Sequence, residues 1–205
     1  MMFLSILCNF SSLISPFFLP CLIMNMLIWN CRGARNPNFY NNVSDMIRMH
    51  CPAIMIISET KLYGDRAQGI IDRLPLDKAI VANSFRHSGG LWLLWDSKQV
   101  ELTELSSTEQ EIHVIISSTA NSPWLLSAIY ASPRLAERRL LWDNLETMAG
   151  LHSLPWVIAG DFNEVLMNRD KFGGNAVSIS RALRFQDCLN VCNMIDIGFV
   201  GPRFT

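Results

Sequence analysis

From Leu27 onward the apolar positions follow two periods in turn, and the switches between them mark out strands and helices. Leu27-Ile-Trp-Asn30 is a short apolar run that ends on an amide. Asn36-Pro37 reads as a helix start with proline at the first position, and Phe39, Val43, Met46, Ile47 and Met49 recur at helical spacing up to His50. Pro52 ends that helix. Ala53–Ile57 is apolar at every position, as a strand buried on both faces must be. A short helix is expected over Gly64–Arg73, and strands over Ala79–Ala82 and Gly90–Trp95. Gln99–Leu105 and Ile112–Ser117 alternate apolar with polar and predict strands with one wet face. Trp124–Tyr130 is a further strand.

Arg134–Ala149 predicts the clearest helix, with Leu141, Leu145 and Met148 on one stripe and charges opposite. Trp156–Ala159 is a short strand that stops at Gly160-Asp161-Phe162-Asn163. Gly173-Gly174 marks a loop. Ser178–Asn193 predicts a second helix, capped by Ser178 or Ser180, with Phe185, Cys188, Leu189 and Cys192 on one face. Phe204-Thr205 reads as the opening of another strand.

Residues 1–23 differ from everything after them: they carry no charge and are rich in Phe, Leu, Ile and Ser. There is no basic start of the kind a signal peptide has, and Pro16 and Pro20 interrupt the apolar run, which argues against a bilayer span. Met24 and Met26 stand just before the first well-patterned strand. We therefore treat residues 1–25 as an apolar extension, read first as a spurious upstream start, then as signal-like, then as a membrane anchor. The domain proper is placed at 26–205.

At 205 residues, 50% hydrophobic and 17% charged, the chain is long enough for one α/β domain with a sizeable core. A net charge of −1 gives no overall positive field for nucleic acid, although a bound metal can make a cleft locally electropositive. The six cysteines form no Cys-x-x-Cys and no zinc-spaced set, so Cys188 and Cys192 read as core residues of a chain kept reduced. Nuclear or cytoplasmic residence is favoured, and secretion only if residues 1–23 are a true signal. No protein partner is identifiable.

Several apolar strands end in polar residues of a catalytic type: Asn30, Glu59, Tyr130, and Asp161 with Asn163. Rigid strands aim such side chains into a crevice at the sheet end. Carboxylates and amides are the ligands that Mg²⁺ prefers, which makes Glu59 and Asp161 candidates for holding a metal and a water. Any one of these positions is also read as a strand simply ending in a polar residue; the ordered set is what points to function.

Five segments carry a resemblance: Trp29-Asn-Cys-Arg-Gly33, Ser58-Glu-Thr-Lys61, Ser88-Gly-Gly-Leu91, Ile129-Tyr-Ala-Ser-Pro133 and Gly160-Asp-Phe-Asn-Glu164. In this order they resemble the motifs of the endonuclease/exonuclease/phosphatase superfamily. Asp196-Ile-Gly-Phe199 and Gly201-Pro-Arg-Phe-Thr205 add a likeness to the endonuclease domain of plant LINE-type non-LTR retrotransposons. The resemblance implies an α/β, DNase I-like four-layer αββα sandwich, incomplete at its C-terminus. It also implies a phosphodiester hydrolase that uses Mg²⁺, with Mn²⁺ as a substitute. Glu59 is then the principal metal ligand, assisted by Asn30. Tyr130 contacts the scissile phosphate, Asp161 orients and deprotonates the attacking water, and Asn163 steadies the phosphate or the transition state. DNA is the implied partner, with Arg32, Lys61 and Arg86 as phosphate contacts, although for each of these three the reading as a solvated surface charge comes first.

Members of the family end in a Ser-Asp-His motif that has no counterpart here, and His50, His87, His113 and His152 do not match its histidine. The chain is therefore expected to act feebly or not at all, and to leave a strand edge open. Two other readings remain: a phosphatase or phosphodiesterase for small esters on the same scaffold, and a non-catalytic remnant or binding module.

Overall fold

The computed structural model describes residues 4–9, 24–82, 89–118, 121–164, 166 and 178–197. Arg86, His87, the Gly173-Gly174 loop and the closing segment Gly201–Thr205 lie outside the described residues. The described strands are β1 (Leu4–Asn9), β2 (Met26–Asn30), β3 (Ile54–Ser58), β4 (Lys78–Ala82), β5 (Leu91–Trp95), β6 (Glu101–Ser107), β7 (Glu111–Ser118), β8 (Asn121–Tyr130), β9 (Trp156–Asp161) and β10 (Met194–Asp196). The helices are α1 (Phe39–His50), α2 (Gly64–Ile71), α3 (Leu135–Leu151) and α4 (Ile179–Val191).

Two mixed sheets stack face to face. One has the order β10-β1-β9-β8-β7-β6 and the other β2-β3-β5-β4. Each contains one parallel pair, β8 with β9 and β2 with β3, joined through a helix that covers the outer face. Between the sheets, Ile54, Ile56, Leu91 and Leu93 pack against Ile112, Val114, Leu126, Val157 and Ala159. α1 and α2 cover one outer face through Phe39, Val43, Ala67 and Ile71 on Met55, Ile57, Trp92 and Leu94. α3 and α4 cover the other through Leu141, Trp142, Leu145, Phe185 and Leu189 on Leu125, Ile129, Trp156 and Ile158. The chain is thus an αββα sandwich, as the family resemblance implied.

β3 is buried at all five positions, which is why its sequence shows no alternation. β6 behaves otherwise: it is an edge strand with only Leu102 buried, and a register shift between Glu104 and Ser106 leaves Leu105 outside the pairing. β7 departs from the expected wet face. Glu111 and His113 are buried along with Ile112 and Val114: Asn144 of α3 reaches Glu111 Oε1 at 2.6 Å, and His113 Nδ1 lies 2.6 Å from Ser127 Oγ. Pro37 does not open α1. It lies in a turn, where Asn36 accepts the Asn38 N–H at 2.9 Å, and the helix starts at Phe39. Ser178 stands at the N-cap of α4 but makes no side-chain cap bond.

Both edges of β9 are paired. Leu4–Asn9 runs antiparallel to it, in a register that sets Leu4 opposite Asp161, and β10 pairs on the far side. Among the described residues no helix is long and apolar enough to cross a membrane.

Candidate active site

Both parallel pairs point their C-terminal ends to the same end of the sandwich. Asn30 is in register with Ser58 in one sheet, and Tyr130 with Asp161 in the other. Period-two alternation carries these four from the inter-sheet core, since Ile28, Ile56, Ala128 and Ala159 precede them on the inward face. The candidate residues meet at the seam between the sheets.

Two hydrogen bonds cross that seam. Asn30 Nδ2 donates to Asp161 Oδ2 at 3.1 Å, both residues being buried. Tyr130 Oη donates to Glu59 Oε1 at 3.3 Å. The other carboxylate oxygen of Glu59 lies 3.4 Å from Lys61 Nζ. Asn30 Oδ1 accepts the Arg32 N–H at 3.1 Å, and Asp161 Oδ1 accepts the Asn163 N–H at 3.0 Å. Asn30, Arg32, Glu59, Lys61, Tyr130, Asp161 and Asn163 are therefore brought together, and of the sequence candidates only Arg86 is not placed.

The backbone here is held in conformations that unconstrained chains avoid. Arg32, Glu59, Lys61 and Asn163 have φ of 53°, 54°, 56° and 45°. Left-handed φ at a non-glycine residue costs about 1 kcal/mol or more, and it persists only where the surroundings fix it. Here they do. Thr60 and Lys61 donate their N–H groups to the carbonyls of Gly90 and Gly89 at 3.3 and 2.9 Å, and Ala34 donates to Thr60 at 2.9 Å. Gly89, at φ +79°, lies under Tyr130, where an added Cβ would stand 3.3 Å from the ring.

The Gly160–Glu164 turn is built residue by residue. Gly160 has φ +146°, and a Cβ there would fall 2.0 Å from the Ile129 carbonyl oxygen, so only glycine lets β9 close on β8. Asp161 faces the seam. Phe162 points the other way and is fully buried against Trp142 and Phe185, with ring centroids at 6.3 and 5.3 Å. Asn163 then turns back, its Nδ2 donating to the Ala131 carbonyl at 2.7 Å.

Burial works against ionisation at this site. It raises the Asp161 carboxyl to about 6; the hydrogen bonds from Asn163 and Asn30 oppose that rise, and the charge of Glu59 adds to it. Burial with the charges of Glu59 and Asp161 also pushes the Tyr130 hydroxyl up, so it stays a protonated donor at neutral pH. Beside Tyr130 lies a cavity of about 110 Å³, lined by Gly89, Gln110, Ser132, Arg134 and Glu137 among others.

The donor set suits a hard divalent cation: two carboxylates and an amide oxygen at one seam, with the negative charges of Glu59 and Asp161 already in mutual repulsion. Among the described residues no three His, Cys, Asp or Glu side chains cluster as a metal cage, so a cation here would keep several waters. The described histidines are elsewhere. His113 lies buried between Ser127 and Glu111, His50 ends α1, and His152 caps α3.

Three neighbours of the site escaped the sequence reading. Ser58 ends β3 beside Asn30 with a buried hydroxyl that has no hydrogen-bond partner among the described residues. Gln110 accepts the Ser132 N–H at 2.6 Å and, through its carbonyl, the Tyr130 N–H at 2.8 Å. Arg138, on the apolar stripe of α3, is buried and paired with Glu164. Their only signal was a polar residue at a position the period marks as inward.

Residues 27–187 match the family model described as "Endonuclease/Exonuclease/phosphatase family", and the chain belongs to that family. An AP endonuclease of Leishmania major has the same fold, with a TM-score of 0.65 at 15% identity, covering 83% of this chain and 67% of that one. The endonuclease domain of TRAS1, a telomere-specific non-LTR retrotransposon, superposes with a TM-score of 0.58 at 12% identity, covering 82% and 72%. A 3′ phosphatase from Neisseria, solved with a product DNA hairpin, gives 0.57 at 15%, covering 82% and 71%. The chain thus spans about two thirds of the length of these structures. A comparison with curated protein sequences finds no match.

Proposed function

We propose that this chain is the metal-binding and water-activating part of a phosphodiester hydrolase acting on DNA, of the endonuclease kind found in non-LTR retroelements. The observation that carries the reading is the pair of hydrogen bonds across the sheet seam, Asn30 to Asp161 and Tyr130 to Glu59. It holds together the residues we assign as metal ligands and as proton acceptor, and family membership supports the reaction class. The likeness to a retrotransposon endonuclease and to DNA-processing enzymes accords with the substrate and the origin proposed.

Glu59 and Asn30 would hold a divalent ion, Mg²⁺ or in its place Mn²⁺, which when bound lowers the cost of negative charge on the phosphate. Asp161 orients a water and takes its proton as the water oxygen bonds to phosphorus and the bond to the leaving oxygen breaks. A carboxyl raised to about 6 is ionised at neutral pH yet more basic than an exposed one, which suits that role. Tyr130 and Asn163 donate to phosphate oxygens. Tyr130, Asn163 and Asp161 are held in place before substrate arrives, so their dipoles need little reorganisation. Arg32 and Lys61, and by position in the sequence Arg86, contact flanking phosphates. No described histidine reaches this seam to protonate the leaving oxygen, and we read turnover by the chain alone as weak or absent.

The test separates binding from turnover. Mn²⁺ titration should show a site that Glu59→Gln weakens at least tenfold, while nicking of supercoiled plasmid in Mg²⁺ stays slow. Absence of any Mn²⁺ site refutes the reading. So does brisk nicking that survives Glu59→Gln.

A further inference from the structure

Arg138 sits on the apolar stripe of α3, one helical turn before Leu141, and is 1% exposed. Its Nη1 donates to the Ser132 carbonyl at 2.6 Å and its Nη2 to Glu164 Oε2 at 3.2 Å. Ser132 lies two residues after Tyr130, and Glu164 lies one after Asn163. One guanidinium therefore spans the loops that leave the parallel neighbours β8 and β9.

Glu164 is itself 5% exposed and is gripped from α4, where Arg181 Nε and Nη2 both reach it at 3.0 Å. The two loops also meet directly. Asn163 Nδ2 donates to the Ala131 carbonyl at 2.7 Å, and the Ala131 N–H to the Asp161 carbonyl at 2.8 Å.

Packing alone does not account for a charge at this position. A leucine or methionine would complete the stripe without the desolvation that a guanidinium suffers, and replacing buried ion pairs by apolar residues is often neutral or stabilising. Arg138 even leaves its Nε buried with no hydrogen-bond partner among the described residues. What an apolar residue cannot do is hold two loops at once; a planar fork with several fixed donors can.

We propose that Arg138 is a positioning residue, whose guanidinium locks the loop carrying Tyr130 to the loop carrying Asp161 and Asn163 and so fixes the spacing of the groups that receive the phosphodiester. Its functional part rests on the hydrolase reading above. Arg138 touches none of the reacting atoms and acts through Ser132 and Glu164.

The experiment is residue-resolved amide exchange on the full chain, with Mn²⁺ titration alongside, for Arg138→Lys and Glu164→Gln. Lysine keeps the charge and loses the fork. In Arg138→Lys the amides of Ala131 and Asn163 should exchange at least tenfold faster, with Leu126 and Ile158 in the strand centres unchanged, and the Mn²⁺ dissociation constant should rise at least tenfold. Should that variant fail to fold, Glu164→Gln is read by the same signals. Loosening of one loop only, loosening of neither, or uniform acceleration throughout both variants overturns the proposal. Wild-type protein that binds no Mn²⁺ while both loops loosen in the variants refutes the hydrolase reading and leaves the coupling standing. Unchanged loops beside intact Mn²⁺ binding do the reverse.

Discussion

Asn30 and Asp161 belong to different sheets and lie 131 positions apart in the chain, yet the amide of one donates to the buried carboxylate of the other at 3.1 Å. This bond stabilises the ionised form of Asp161 against the burial that raises its pKa to about 6. A hydrogen bond to a charged group contributes roughly 1.5–3 kcal/mol, equivalent to about one to two pH units. Asn30→Ala should therefore move the Asp161 midpoint further upward, by about one unit or more. A ¹³C titration of the aspartate carboxyls reads it directly; a midpoint that stays put or falls would show that the bond does not tune the carboxylate.

The same carboxyl makes stability depend on pH. In the unfolded chain Asp161 titrates near the ordinary aspartate value of 3.8, and in the fold near 6. Between these values the folded state binds more protons, so stability is greatest below about 4 and falls as pH rises to about 6. The loss is on the order of 3 kcal/mol, at 1.36 kcal/mol per unit. Urea unfolding in EDTA at a series of pH values should show this fall, and Asp161→Asn should flatten it. Adding Mg²⁺ above pH 7 should restore stability to the wild type, since a cation that binds only the fold stabilises it by mass action.

Asn30, Glu59, Tyr130 and Asp161 were legible in the sequence because each ends an apolar run, and a run ending on a polar residue says where a buried strand meets its crevice. That β3 lies buried inside its sheet was legible for a related reason: it is apolar throughout, which requires cover on both faces, whereas the order of the four layers followed from the family resemblance. Arg138, Glu111 and His113 were not. Periodicity says which side of an element a residue occupies but not what covers that side: here Glu164 meets Arg138, Asn144 meets Glu111, and Ser127 meets His113. Leu4–Asn9 was hidden differently. Its pairing with β9 joins segments about 150 residues apart, and a long-range strand partner leaves no local pattern.

Gly160 tests how tightly the parallel pair must close. A methyl group at this position would overlap the Ile129 carbonyl, and neither atom sits on a flexible side chain that can swing aside. The φ of +146° is a further penalty for any other residue. Gly160→Ala should cost at least about 2 kcal/mol, combining overpacking with an unsuitable φ. The damage should centre on the Tyr130 and Asp161 loops. Denaturant titration gives the magnitude; a loss below about 0.5 kcal/mol would mean that β9 shifts without strain.

Phe162 separates anchoring from chemistry. It lies between two candidate catalytic residues but faces away from them, stacked on Trp142 under α3 and α4. Truncating a buried phenylalanine to alanine costs about 3–5 kcal/mol, whereas a volume-conserving apolar swap costs less than about 1.5 kcal/mol. Phe162→Leu should thus keep the fold while loosening the turn that aims Asp161 and Asn163, because leucine cannot reproduce the ring contacts to Trp142 and Phe185. The expected result is a small change in the urea midpoint together with a several-fold weaker Mn²⁺ site. Equal Mn²⁺ affinity in Phe162→Leu and wild type would show that the backbone bonds of Ala131 and Asn163 suffice to hold the turn without the ring.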